Sequence, residues 1–140
     1  MTIGILMITH PGVGSALLHT VTRIMGVCPI TTKCLEIPAG AQLEPLISQA
    51  TEHLLTLDTG SGVLVFVDLY GATPSNIAAH LAASERVAIV SGLNLAMLLR
   101  TYNYPHEDLD TLCVKAAQAG IRGITSATRQ QAQALREATE

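Results

Sequence analysis

Two polar side chains stand where hydrophobic runs end. His10 closes "ILMIT", residues 5–9, and is followed by Pro11, Gly12 and Gly14; Asp68 closes the apolar run Val63–Val67. A carboxylate placed straight after such a run is costly unless it is hydrogen-bonded or paired. If Asp68 accepts from one imidazole nitrogen of His10, it fixes the tautomer, and the other nitrogen keeps a free lone pair. That arrangement makes a nucleophile or a general base. The plainer alternative is that Asp68 stabilises a turn or caps a helix, as short acidic side chains often do.

A third element follows Asp68 in the stretch Gly71-Ala72-Thr73-Pro74-Ser75-Asn76. Small residues let a ligand approach the backbone. Thr-Pro reads as a helix start, with Thr73 as N-cap and Pro74 at the first helical position. The first free N–H groups of that helix, with its dipole, suit an anion such as phosphate, and the Thr73 hydroxyl can donate to the same anion. Alone, a Thr-Pro helix start is ordinary capping. Its weight comes from facing a histidine and an aspartate.

The remaining histidines carry less. His19 and His53 lie within helical patterns, His80 follows the Thr-Pro start and His106 sits in a turn, so each reads as a solvated or hydrogen-bonded histidine. No pair has metal-ligand spacing beside a carboxylate, and we expect neither metal nor cofactor. Cys28, Cys34 and Cys113 are odd in number and lack C-x-x-C spacing, which fits reduced thiols packed as small hydrophobes.

The elements that must position these residues alternate along the chain. Ile3–Ile8, Thr31–Ile37, Val63–Val67 and Arg86–Val90 read as strands. Between and after them lie helical patterns: from Ser15, taken as N-cap, to Gly26; Leu43 to Leu57; from Thr73-Pro74; within "SGLNLAMLLRTY"; and within "HEDLDTLCVKAAQAG", closed by Gly120. Ile121–Thr125 reads as a last short strand, and a polar helix ends the chain. Strands apolar on both faces, alternating with helices, predict an α/β fold with a mainly parallel four-stranded sheet and helices on both faces. Ligands of such folds bind outside the carboxyl ends of the strands. His10, Asp68 and the group Ser91, Gly92 and Asn94 are expected to converge there.

Composition bounds the function. With 140 residues, 49% hydrophobic and 14% charged, the chain fits one domain over residues 1–140 with an aliphatic core. The net charge of −3, with no basic block, argues against nucleic acid. The apolar N-terminal run stops at Ile8, too short for a membrane span or signal peptide, so a soluble cytoplasmic protein is expected.

With these residues in place, the chain resembles the enzyme IIA domain of the mannose family of the bacterial phosphoenolpyruvate:sugar phosphotransferase system. The resemblance runs over nearly the whole length, through Thr9-His10, "GVLVFVDLYGATPSN" (Gly62–Asn76) and "SGLNLAMLL" (Ser91–Leu99). It implies that His10 is phosphorylated by the phosphocarrier HPr and passes the group to a IIB domain, and that Asp68 orients the imidazole. It also implies that Thr73, where the family has Ser before Pro, helps to hold the phosphoryl group, within the loop of Gly71, Ala72 and Ser75. Val13 and Leu69 are candidates for an apolar docking ring around His10. The resemblance further implies a homodimer that exchanges a fifth, antiparallel strand, for which Ile121–Thr125 is the fitting segment.

There are departures. Pro11 stands where the family more often has a small residue, and neither a hinge nor a IIB domain is expected within these 140 residues. A separate IIB protein is then the expected acceptor. A stand-alone regulatory phosphoprotein and the phosphotransfer subunit of a dihydroxyacetone-kinase system are alternatives, with "ATPSN" favouring the sugar branch. From another class, a small-molecule binding or hydrolase domain would use His10 as general base. "HPGVGSA" carries no glycine-rich phosphate loop, which disfavours nucleotide binding.

Overall fold

The computed structural model describes residues 2–84 and 86–140. Four strands, β1 (Gly4–Thr9), β2 (Thr32–Glu36), β3 (Val63–Val67) and β4 (Val87–Ser91), form one parallel sheet in the order β2-β1-β3-β4. Six helices accompany them: α1 (Val13–Met25), α2 (Leu43–Leu57), α3 (Thr73–Leu81), α4 (Leu95–Asn103), α5 (Leu109–Arg122) and α6 (Arg129–Thr139).

The period of two along each strand sorts the core into two layers. Ile3, Ile5 and Met7 with Leu64 and Phe66 pack beneath α1, α4 and α5, whereas Leu6, Ile8, Val63, Val65 and Val67 pack beneath α2 and α3. Every residue of β1 and β3 is buried. Each fully buried aliphatic side chain contributes about 1.5–3 kcal/mol relative to exposure. His10 and Asp68 therefore stand directly beyond the two most heavily anchored strands.

Helix starts and the last strand differ from expectation. α1 begins at Val13 with Gly12 as its cap, not at Ser15, because its first amides are taken by side chains from other strands. α3 has Ala72 as N-cap, so Thr73 lies at the first helical position and Pro74 at the second. β4 runs one residue later than predicted. Gly120 does not end its helix: it is buried in α5, and a Cβ there would lie 2.3 Å from Met97 Cε, so the glycine is needed for close approach of α4.

Ile121–Thr125 is not a strand in the single chain. Ile121 and Arg122 complete α5, the Ile124 amide turns back onto the Ile121 carbonyl at 3.1 Å, and among the described residues the segment joins no ladder. The expected last strand is therefore not formed, because its first residues continue α5 and the next turn back on them. α6 follows behind a capping box of Thr128 and Gln131 with every residue exposed. Among the described residues, no helix is long and apolar enough to cross a membrane.

Candidate active site

The register that pairs Ile8 with Val67 sets the carboxyl ends of β1 and β3 side by side. Asp68 Oδ2 consequently accepts twice from one residue: from the His10 backbone N–H at 2.9 Å and from its ring Nδ1 at 2.9 Å. An ionised carboxylate only accepts, so Nδ1 carries the proton in the neutral ring and Nε2 bears the lone pair. Nε2 has no partner among the described residues, and the His10 side chain is 47% exposed against 11% for Asp68. Asp68 Oδ1 is buried and unpartnered, the one buried side-chain polar atom in that state among the described residues. Leaving such an atom unmatched costs about 1–3 kcal/mol.

The loop after His10 is tied down from below and from the side. Thr9 is fully buried; its hydroxyl donates to the His10 carbonyl at 2.9 Å and accepts from the Gly14 amide at 3.0 Å. Glu36, opposite Thr9 in the β1–β2 ladder, accepts from the Gly12 amide. Sequence reasoning names Thr9 only as part of the resemblance and does not single out Glu36. A charged residue near the end of the strand-like run Thr31–Ile37 is the signal that points to Glu36.

His10 and Pro11 share a cleft of about 230 Å³ with Ile37–Ala41, Thr73 and Pro74. Thr73 is thus brought to the histidine's side of the sheet. Gly71 (φ +83°, a left-handed conformation that suits glycine), Ala72 and Ser75 belong to the same loop and first turn but do not line the cleft. α3 starts without a side-chain cap, and among the described residues the amides of Thr73 and Ser75 have no partner within the chain. Unmatched N–H groups at a helix start, with the helix dipole, are the kind of donors that favour an anion.

The loop after β4 is not part of this cleft. In the strand order, β4 lies outside β3, so the β2–α2 loop becomes the neighbour of His10 instead. Asn94 serves α4: its side chain accepts from the Met97 amide at 3.0 Å and donates to the Gly120 carbonyl at 3.2 Å. His19, His80 and His106 are exposed, His53 is half-buried, and none lines the cleft. Burial, reinforced by Glu36, pushes the Cys34 thiol up to about 11, and burial also raises Cys113, so neither is a thiolate nucleophile at neutral pH. Of the expected docking ring, Val13 is half-buried, while Leu69 and the adjoining Tyr70 are 58% and 82% exposed.

The chain is similar to known proteins over most of its length. Residues 4–116 match the family model described as the PTS system fructose IIA component, EIIA-man. The mannose-specific EIIAB component of the phosphotransferase system of Escherichia coli K12 is 31% identical over 127 residues, which are 89% of this chain and 39% of that protein. The chain thus spans about two fifths of the length of the curated relatives it matches. Among solved structures, the mannose/sorbose-specific IIA subunit from Enterococcus faecalis superposes with a TM-score of 0.80 at 25% identity, covering 91% of this chain and 96% of the other. The phosphotransferase component EIIA from Streptococcus agalactiae gives 0.77 at 23% identity, covering 89% and 96%. With the α/β sheet built as in these IIA structures and the family match extending over most of its length, the chain belongs to the mannose-type (EIIA-man) family of phosphotransferase-system IIA components.

Proposed function

We propose that this protein is a cytoplasmic phosphoryl carrier of the sugar phosphotransferase system, with His10 as the phosphoacceptor. The observation that supports the reading best is the paired contact of the His10 backbone and Nδ1 with Asp68 Oδ2, which leaves Nε2 unpartnered beside an uncapped helix start. In this reading, Nε2 attacks the phosphorus carried by phospho-HPr in line; the new N–P bond forms as the bond to the donor breaks. Nδ1–H stays on Asp68, whose charge stabilises the cationic ring. The hydroxyl of Thr73 and the amides of the Gly71–Ser75 turn, including Ala72, receive the equatorial oxygens. No cofactor or metal enters. A separate IIB protein takes the group in the reverse geometry, docking over exposed Leu69 and Tyr70.

His10→Ala tests the assignment. It should take no label from phosphoenolpyruvate, enzyme I and HPr, while its thermal melt stays close to wild type. A labelled alanine variant refutes the role of His10.

The working unit in this proposal is a homodimer. β4 has a ladder neighbour on one side only, and the stretch around Ile124, 72% exposed, is unpaired in the single chain. Antiparallel exchange of that stretch between subunits would answer both. A chain ending at Gly123 should then sediment as a monomer; a dimer of that length would remove the exchange.

A further inference from the structure

Two helix N-termini follow the strand ends at His10 and Asp68, and the chain satisfies them to different degrees. At α1 three amides in a row are taken, Gly12 by the Glu36 carboxylate, Val13 by the His10 carbonyl at 3.3 Å and Gly14 by the Thr9 hydroxyl at 3.0 Å, and among the described residues only Ser15 of that first turn keeps an unpartnered amide. At α3, Ala72 supplies no cap, and the Thr73 and Ser75 amides have no partner among the described residues. Both ends carry the partial positive charge that draws anions. A phosphoryl group on His10 therefore has two helix ends within the same neighbourhood, and only one should receive it.

We propose that Glu36 is a positioning residue for phosphoryl transfer: seated on the Gly12 amide, it closes the α1 terminus, holds the Pro11–Gly12 loop, and so directs the phosphoryl group to α3. The inference rests on the reading of His10 as phosphoacceptor. Glu36 pairs in register with Thr9, one residue before His10, so it grips the loop from the β2 side while Asp68 grips it from the β3 side. Its charge also repels a second anion from the one helix end where a misdirected phosphoryl group could settle. Remove the side chain, and the Gly12 N–H becomes an open donor next to the nucleophile.

Full-length Glu36→Ala and Glu36→Gln, with wild type and His10→Ala as controls, test this. Transfer from phospho-HPr measured over a range of donor concentrations separates kcat from KM. Loss of loop position should lower kcat of Glu36→Ala about 10- to 100-fold. KM for phospho-HPr should stay within about twofold, since the docking surface is untouched. The amide oxygen of Glu36→Gln still accepts from Gly12, so its kcat should return to within about threefold of wild type. Amide NMR with inorganic phosphate as probe gives a readout that a merely structural role would not move. In Glu36→Ala the Gly12 amide should shift at phosphate concentrations that in wild type move only Thr73 and Ser75. Wild-type kcat in a folded Glu36→Ala, a glutamine variant as slow as the alanine one, or a Gly12 amide indifferent to phosphate in Glu36→Ala overturns the proposal alone. A wild type that takes no label overturns the His10 reading beneath it.

Discussion

Two aspartates bracket β3, and they are used in opposite ways. Asp58, before the strand, has both oxygens matched: Oδ1 accepts from the Gly60 and Gly62 amides at 2.9 and 3.1 Å, and Oδ2 meets Arg86 Nε at 2.9 Å. The Gly60 amide leads in holding its carboxyl below the usual range, with Gly62 and Arg86 adding to it against the opposing effect of burial. Asp68, after the strand, spends one oxygen on His10 and leaves the other buried and unmatched. Saturation marks the carboxylate that closes a turn. Incomplete satisfaction is what the orienting role proposed for Asp68 calls for.

Asp68→Asn should break this contrast with the largest effect. Its amide N–H favours the wrong ring tautomer and its charge is gone. Phosphoryl transfer should slow by about 10²–10³, the size of a lost acid–base or orienting group and equal to about 3–4 kcal/mol in the barrier. The melting temperature should change little. A normal rate would make Asp68 as structural as Asp58.

Asp58→Asn should behave the other way, with transfer unchanged and stability lower. Asparagine keeps an acceptor for the turn but loses the charge-assisted part, about 1 kcal/mol or roughly 2–6 °C in Tm. A slowed transfer rate in this variant would mean that the two ends of β3 are coupled.

The smallest and most diagnostic change is with pH. Asp58 titrates lower in the folded chain than its value of about 3.9 in the unfolded one, so its stabilisation is fully present above the unfolded value. It disappears as pH falls through the folded value. The stability gap between wild type and Asp58→Asn should therefore be flat near neutrality and close on acidification below about pH 4. Asp108, also held low by the Thr111 amide, titrates in both proteins and cancels from the difference. Denaturant unfolding at several pH values measures it.

Much of this was legible in the residues because a parallel strand buried on both faces is a continuous apolar run, and the polar residue that ends it lies on the ligand edge. Val63–Val67 is found with its predicted limits, and the contact of His10 with Asp68 follows from two such runs lying side by side. The misses share one physical cause, which is that the deciding partner is remote in sequence. Ser15 is a poor guide to the start of α1 because Glu36, 24 residues on from Gly12, supplies an acceptor there. Gly120 looks like a helix stop until Met97 is seen against it. Ser91, Gly92 and Asn94 follow a real strand, but strand order, which periodicity does not encode, keeps them out of the cleft.

The burial of β1 has a consequence for how the protein fluctuates. Local opening follows the least-packed parts of a fold, and a strand flanked on both sides and covered on both faces is released only when the whole domain unfolds. β1 and β3 are such strands, whereas Gly123–Thr128 and α6 are exposed throughout. Local opening is expected to reach β1 and β3 last and exposed segments such as α6 first. In the proposed relay, successive partners dock and leave while the mount of the imidazole stays fixed, so each hand-over finds Nε2 in the same place.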